Sequence, residues 1–503
     1  MYLIEITAAV DAPGNTQKFY VSNDNFVTKP TDTPANTAFD PLLLNPGSIG
    51  GYAYSDGRTG GSTKLEIGEI ILANIDGQID SWIDYSFDGR ELKIYKGERD
   101  SAYPSGFSVV FTGTMEAIEA SFDKVVIRIR DKSYLFDVPV STNLYLGNNT
   151  LPNGIEGTDD IKGKRKPQVF GNVSNITPEL VNTSKLIYQF HDNTAAWAAS
   201  VSNVYDRGLA LTAGADYTSQ SDMENNAPAA GYYRRWSSGG CFRLGSSPGG
   251  QITCDAFSSG SWGVEAAYIL YSLAMLSGIT EDEISFADTV ELANIGAAVG
   301  IFCQEESILE AMDAVALSIG AWYGFDGDGI LRMGQLTSPE SSIVDFYDYD
   351  LLEGIDRKVQ KDIAIPIWRV NIDYKKNYTV QDSDIAGAVS IDRRAFLSSE
   401  YRTESVENNN KTKWKLSQEY NVKSLLYSNT DAANEAARLL ALYEEKRDIF
   451  EITLSIDDFD GLNLLDTVTL YLDRFGMEYG RMFRIIGTYH QLDTDKITVT
   501  LWG

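Results

Sequence analysis

The pattern that most limits the fold of this chain lies near its end. Asp466–Gly487 reads Asp-Thr-Val-Thr-Leu-Tyr-Leu-Asp-Arg-Phe-Gly-Met-Glu-Tyr-Gly-Arg-Met-Phe-Arg-Ile-Ile-Gly, and after a polar gap Lys496–Gly503 reads Lys-Ile-Thr-Val-Thr-Leu-Trp-Gly. Apolar residues alternate at Val468, Leu470 and Leu472, at Phe483 and Ile485, and at Ile497, Val499 and Leu501. Successive side chains of a strand leave opposite faces, so a two-residue period bounded by Gly and Asp predicts half-buried antiparallel strands. Three such runs predict strand, turn, strand, turn, strand, the closing part of a β-barrel. The sequence stops on the third run. A barrel finished by its own last strand is expected of a part that assembles, and it holds no evident chemistry.

At 503 residues the chain exceeds what one core serves, and three or four domains are expected. Gly (43) and Tyr (28) are abundant. That mixture suits short strands, tight turns and amphipathic rings at interfaces. No apolar run reaches the roughly 18 residues that span a bilayer. Met1–Thr7 reads as a strand; it lacks the basic head and long apolar core of a signal peptide. Folding in a cytoplasm, without stable membrane insertion, is therefore expected.

Read along its length, the chain is predicted to be α+β and mostly β, with N-terminal and C-terminal antiparallel β-barrels around an α+β middle. Residues 1–140 carry strand candidates at Leu3–Val10, Phe19–Val21, Lys64–Leu72, Glu91–Tyr95, Ser108–Thr112 and Lys124–Arg130. Turns are expected at Asp56-Gly57, Asp76-Gly77 and Asp88-Gly89. Residues 141–260 read as a looser β-rich domain. Its candidates are Gln168–Phe170, Leu186–Phe190, Val201–Tyr205 and Tyr232–Trp236, with a hairpin of Phe242–Leu244 and Gln251–Ala256 turning at Pro248-Gly-Gly250. Residues 261–343 switch to helical spacing, as at Val264, Ala267, Tyr268 and Tyr271. Further helices are expected over Asp288–Ile295 and Glu305–Ile319, then a hairpin from Trp322. Residues 344–503 begin with strands at Val344–Tyr349 and Ile367–Tyr374. An irregular exposed segment is expected at 376–412, then a helix from an N-cap at Thr430 to about Lys446, then the last barrel.

Charge is uneven. The formal net charge is −29, and residues 261–340 hold 13 acids against a single base, Arg332. Residues 141–260 are nearly neutral, with 10 acids and 9 bases. Binding to nucleic-acid phosphates needs a basic patch, and the one small cluster is Lys162-Gly-Lys-Arg-Lys166. The acidic block reads either as a solvated face or as an acidic channel lining, with Glu305, Glu306, Glu310 and Asp313 as the channel-facing candidates.

The residues for catalysis are sparse. Of the two histidines, His191 and His490, neither stands beside a G-x-S-x-G elbow, and no H-E-x-x-H occurs. Carboxylate pairs of the kind a glycosidase uses exist, as Glu305 or Glu306 with Glu310, or Asp326 with Asp328. Among 71 acids such pairs arise by chance, and i, i+4 acids on a helix share a solvated face. Asp326-Gly-Asp-Gly329 opens like a calcium loop but has Ile330, Leu331 and Ser338 where the fifth, sixth and twelfth positions need an acid, Gly and Glu. A hairpin turn is expected there, and a surface turn at Asp457–Gly461. Cys241, Cys254 and Cys303 form no close pair, so neither a zinc site nor a disulfide framework is indicated. Cys241 and Cys254 would face each other across the expected hairpin, but two buried thiols are the simpler expectation. No catalytic, cofactor-binding or metal residue is assigned.

Several stretches, taken in order, resemble baseplate hub proteins from the tail tips of long-tailed bacteriophages of the siphophage type. They are Thr31–Thr37, Gly68–Gly77 with Phe87–Arg90, Lys164–Gly171, Gly240–Thr253, and at the end Asp466–Val468, Arg474–Gly476, Gly480–Phe483 and Leu501–Gly503. The resemblance implies a non-enzymatic virion protein, a homotrimer that rings the central channel and adapts six-fold tube symmetry to three-fold tip parts. It implies as partners a distal tail protein, the tail tube or tape measure protein, and central fibre or tip proteins. Phage DNA would pass without specific binding, and no cofactor is implied. The alternatives are a distal tail protein, which forms a hexameric ring, and a tail-associated hydrolase or receptor-binding protein.

Overall fold

A computed structural model of the chain describes residues 1–11, 14–53, 60–192, 194–195, 197–259, 263–358, 365–459 and 461–503. The turn expected at Asp56-Gly57 and residue Asp460 lie outside the described residues. The protein is α+β and mostly β.

The first barrel is a seven-stranded antiparallel sheet. Its strand order is Thr16–Ser22, Tyr2–Ala9, Glu91–Gly97, Phe107–Ala120, Lys124–Arg130, Glu69–Ala73 and Leu43–Asn45. The two edges are brought round to each other just before Leu43. There Ser22 N donates to Asp40 O at 2.8 Å, and Asp40 N donates to Tyr20 O at 2.9 Å. Alternation sends Ile4, Ile6, Leu92, Ile94, Met115 and Ile127 into one core.

The expected strand Lys64–Leu72 is two strands, Lys64–Ile67 and Glu69–Ala73, divided at Gly68. A Cβ on Gly68 would lie 2.5 Å from Ser48 Oγ, so the close crossing needs a residue without a side chain. The halves serve different sheets. Glu69–Ala73 stays in the first barrel, whereas Lys64–Ile67 pairs with Ser48–Tyr52, which pairs with Arg481–Gln491 at the far end of the chain.

The second region is a sandwich of two five-stranded sheets around Val173, Phe190, Val201, Val204, Phe242 and Cys254. Here one expectation fails. Cys241–Leu244 pairs with Ile187–Gln189 and Tyr232–Trp236 in one sheet, and Ile252–Ser259 pairs with Ala198–Asp206 and Gln168–Ile176 in the other. Pro248-Gly-Gly250 is thus a crossover between layers and not a hairpin turn. Each strand has one apolar face, Phe242 and Leu244 in one and Ile252, Cys254 and Ala256 in the other, and a two-layer core and a hairpin ask the same of it.

One further core unites helices Ala266–Leu276, Phe286–Ala293, Ile308–Ser318 and Asn429–Tyr443 with the hairpin Ala321–Phe325/Leu331–Gln335. The sheet Arg369–Tyr374, Arg402–Glu407, Glu419–Lys423 packs on the same core. Ile308–Ser318 starts at a capping box in which Ser307 and Glu310 satisfy each other's backbone N–H groups. The last helix is capped by Ser428 and not by Thr430, because Ser428 Oγ accepts from Asp431 N at 3.1 Å. It stops at Tyr443, where Asn410 Nδ2 donates to the Glu444 carbonyl at 2.6 Å.

The segment 376–412 is not irregular. It holds the helix Ile391–Leu397, capped by Ser390, and the strand Arg402–Glu407. Its polar residues work inside. Buried Asn377 donates to the carbonyls of Phe396, Leu397 and Ser399, and its Oδ1 accepts from Asn175 Nδ2 at 2.8 Å. An amide that satisfies buried carbonyls reads in a sequence like a loop residue.

The last sheet runs Val344–Tyr347, Thr467–Tyr471, Arg481–Gln491, Lys496–Trp502, Ile449–Ser455, Asp356–Lys358. Its interior holds Val468, Leu470, Phe483, Ile485, Ile497, Val499 and Leu501, the residues whose alternation predicted it. The first strand ends at Tyr347 because Asp348–Asp350 turns as a short 3-10 helix.

Candidate functional site

The two barrel sheets are joined side by side. Tyr2 Oη in the first strand donates to Asp495 Oδ1, between the last two strands, at 2.6 Å. Lys96 Nζ reaches Asp457 at 2.7 Å and Asp495 at 3.2 Å. Leu492 is buried in the core of the first barrel. Burial, and then the Asp495 carboxylate, holds the Tyr2 phenol far above its ordinary range, so it stays a donor. With strands Ser48–Tyr52 and Lys64–Ile67 lent to the last sheet, the junction combines shared backbone pairing, a buried apolar plug and an ionic rim.

The hairpin Ala321–Gln335 is wedged against the first barrel. Its tip is Asp326-Gly-Asp-Gly329. Asp326 Oδ1 accepts from Asp328 N at 3.0 Å and Ile330 N at 2.9 Å, closing the turn. Thr112 N, in the first barrel, donates to Gly327 O at 2.7 Å. A Cβ on Gly327 would stand 2.7 Å from the Val110 carbonyl. The motif is a docking turn: Asp326 is spent on the backbone and on Arg332, and Gly327 permits close approach.

Between this hairpin and the two barrels lies a cleft of about 1180 Å³. Trp322, Asp326, Arg332, Asp131, Asp466 and His490 are among its lining residues. Burial raises the carboxyls of Asp131, Asp326 and Asp466 above the usual range.

The four acidic residues singled out from the sequence separate into two groups. Glu305, Glu306 and Glu310 are exposed around the start of helix Ile308–Ser318. Glu305 pairs with Arg165 at 3.4 Å, Glu306 Oε2 accepts from Gln304 N at 2.7 Å, and Glu310 completes the capping box. Asp313 turns inward instead. Its Oδ1 accepts from Tyr323 Oη and from Ser62 N, each at 2.8 Å. The basic cluster is largely committed to internal pairs. Lys164 meets Glu179 at 3.2 Å, and Lys166, itself buried, meets Glu156 at 2.7 Å.

His191 is buried, with Nδ1 accepting from Val169 N at 3.1 Å and Nε2 at 3.0 Å from the Trp197 carbonyl. That arrangement fixes a neutral ring with its proton on Nε2. His490 lies within strand Arg481–Gln491, not at a strand edge, and burial lowers its pKa to about 4. The three cysteines are free and buried. Gly245-Ser-Ser-Pro-Gly249 does match G-x-S-x-G, but it joins two strands, whereas a nucleophile elbow needs a helix to follow. Among the described residues no three His, Cys, Asp or Glu converge as a metal site, and no helix is long and apolar enough to cross a membrane.

The sequence reading missed an aromatic edge on the last sheet. Tyr347 stacks on Tyr349 at 5.4 Å and on Tyr471 at 5.0 Å between ring centroids. Val344–Tyr347 is an outermost strand of that sheet. Tyr349 is 81% exposed and Tyr479, nearby in sequence to Tyr471, is 97% exposed. The signal was present as outward-facing tyrosines in alternating strands, which also fit an ordinary solvated face.

No protein-family model matches the sequence, and no curated protein does. Solved structures do resemble the fold. The chain is similar to the tail protein from Neisseria meningitidis MC58, at 10% identity over 100% of this chain and 96% of that one, with a TM-score of 0.41. It is also similar to a chain in the virion of a native gene transfer agent, at 14% identity over 68% of this chain and 84% of that one, with a TM-score of 0.43. A third is the tail protein of prophage MuSo2 from Shewanella oneidensis, at 9% identity over 100% of this chain and 98% of that one, with a TM-score of 0.39.

Proposed function

We propose that this chain is a structural, non-enzymatic subunit of a bacteriophage tail tip, a baseplate hub protein that rings the central channel as a homotrimer. The observation that carries the reading is the lateral union of two barrel sheets in one chain through Tyr2, Lys96, Asp495 and the lent strands Ser48–Tyr52 and Lys64–Ile67. Three such chains present six barrels, so one subunit serves a six-fold tube and a three-fold tip together. The exposed Tyr347–Tyr349–Tyr471 edge supports lateral contact between subunits, since aromatic side chains with a polar tip suit surfaces that are wet before assembly and covered after it.

In this reading the chain is divided into segments at 1–140, 141–260, 261–343 and 344–503, of which the last two share one core through Asn429–Tyr443. The distal tail protein and the tail tube or tape measure protein adjoin the ring on one side, and central fibre or tip proteins on the other. The protein is assembled in the host cytoplasm and resides in the virion. Of the acidic candidates, Glu305, Glu306 and Glu310 at the start of helix Ile308–Ser318 face the channel, where negative charge keeps passing DNA from adhering, whereas Asp313 on the same helix is turned inward to Tyr323 and Ser62.

Native mass spectrometry of the purified full chain tests the assembly. A species of three times the 55.5 kDa protomer is expected. A hexamer would favour the distal tail ring, and a monomer that degrades cell-wall glycan would contradict the reading.

A further inference from the structure

We propose that the basic loop Lys411–Leu416 of one copy docks on the exposed face of helix Phe286–Ala293 of the next copy, so that the chain associates with itself head to tail. The inference deepens the ring reading and rests on it for self-association. What it adds is the pair of surfaces that meet.

Lys411-Thr-Lys-Trp-Lys-Leu416 is a second basic cluster, which the sequence reading passed over inside a polar segment. No acid occurs from 408 to 418. Lys411, Lys413 and Lys415 are exposed and make no ion pair among the described residues. Lys411 Nζ stands over the Trp368 ring at 4.2 Å from its centroid, and Lys413 Nζ over Trp414 at 5.3 Å. Leu416 is 73% exposed. In a chain of net charge −29 the loop is a patch of unspent positive charge beside bare apolar surface.

Helix Phe286–Ala293 carries the complement. It buries Thr289 and Leu292 and leaves Phe286 (56% exposed) and Val290 (40%) outside, one turn apart on the same face. Glu281, Asp282 and Glu291 are exposed and make no ion pair among the described residues, whereas Glu283 and Asp288 are taken by Lys132 and Arg332. The Tyr271 ring contacts Phe286 at 6.1 Å, and its pKa is raised by burial and by the Glu281 charge, which puts Glu281 beside the apolar pair. Leucine and indole against phenylalanine and valine, and ammonium against carboxylate, match in both respects.

The two surfaces lie toward opposite ends of helix Asn429–Tyr443. Ala298 N, shortly after the acidic helix, donates to Asp431 Oδ2 at 3.2 Å in the first turn. Asn410 Nδ2, just before the basic loop, donates to the Glu444 carbonyl at 2.6 Å past the last turn. The 15 residues between hold these anchors about 20 Å apart. A contact between two unlike, separated surfaces is heterologous, and repeated by rotation it closes a ring.

The test is a charge swap in the full chain, read by native mass spectrometry over a dilution series, with melting temperatures alongside to separate unfolding from dissociation. The wild type is expected as a trimer. Lys411→Glu/Lys413→Glu/Lys415→Glu and, separately, Glu281→Lys/Asp282→Lys/Glu291→Lys should each raise the concentration of half-dissociation about tenfold or more. Both sets combined in one chain should restore most of the loss. Leu416→Ser, which leaves every charge in place, should weaken the ring severalfold. Diffuse repulsion between acidic copies predicts the opposite for the second set, which lowers the net negative charge; tighter association there would overturn the inference. An intact ring in both reversed sets would overturn it and leave the ring reading standing, whereas a monomeric wild type would overturn both. Losses that the combined chain does not restore would also overturn it. So would a loop variant that keeps the ring but no longer retains a labelled single-stranded oligonucleotide bound by the wild type, since the loop would then serve nucleic acid.

Discussion

Tyr2 Oη and Asp495 Oδ1 meet at 2.6 Å although 493 positions separate them in the chain. The contact ties the first strand of the protein to the turn before its last strand, and it lies beside the Lys96–Asp495 pair at 3.2 Å. Removing the phenol oxygen with Tyr2→Phe should cost about 1 kcal/mol. Asp495→Ala should cost more, about 1–3 kcal/mol, because a part-buried hydroxyl then loses its acceptor. Denaturant melts of both variants and of the double variant check this, and the double variant should cost less than the sum of the two.

The docking turn gives a sterically cleaner test. Gly327→Ala puts a Cβ 2.7 Å from the Val110 carbonyl, where only backbone can yield. A loss of about 1–3 kcal/mol is expected. Gly354→Ala, which meets nothing within 4 Å, is the control and should change stability by less than about 1 kcal/mol. Thermal melting of the two variants side by side separates backbone contact from glycine content.

Asp313 and Glu305 should answer differently to the same change. Asp313→Ala leaves the Tyr323 hydroxyl and the Ser62 N–H without their shared acceptor, a cost of about 1–3 kcal/mol. Glu305→Ala breaks one exposed contact with Arg165 and should cost less than about 1 kcal/mol. Reversing Glu305, Glu306 and Glu310 to Lys should cost more, about 1–2 kcal/mol, because it also removes the Glu310 half of the capping box and the Glu306 acceptor of Gln304 N, and on the channel reading it should slow genome ejection from particles that carry the variant.

His490 sets a pH dependence. Burial lowers its pKa to about 4, against 6.5 for an ordinary histidine. Between those values the unfolded chain binds the proton and the folded chain does not, so stability rises with pH across that window and levels off above it. Acid titration of the melting temperature should show the slope, and His490→Gln should reduce it, leaving the part due to buried His191, whose pKa burial also lowers.

The parts of the fold that were legible in the sequence are those with one exposed and one buried face. Val468, Leu470, Ile497, Val499 and Leu501 alternate because the last sheet has one wet side, and Lys124–Arg130 was bounded to the residue. What failed involved residues whose partners are remote. Asn377 reads as loop but satisfies buried carbonyls of Phe396 and Leu397. Gly68 reads as a residue inside a strand but marks the point where the chain leaves one sheet for another. Cys241 and Cys254, thirteen positions apart, sit in facing layers, because a crossover and a hairpin use the same Pro-Gly-Gly. Of the acidic candidates, Asp313 was indistinguishable from Glu305, Glu306 and Glu310, since nothing near it in sequence announces Tyr323 and Ser62 as its partners. The cleft was not legible at all, as its walls come from three distant parts of the chain.

The most direct test of the central claim is the copy number of this protein in purified particles, by quantitative mass spectrometry against the tube protein, with antibody–gold labelling for position. The account predicts three copies, confined to the tail tip. Six copies in a ring above the tip would contradict the hub assignment, and absence from the particle would contradict the structural role altogether.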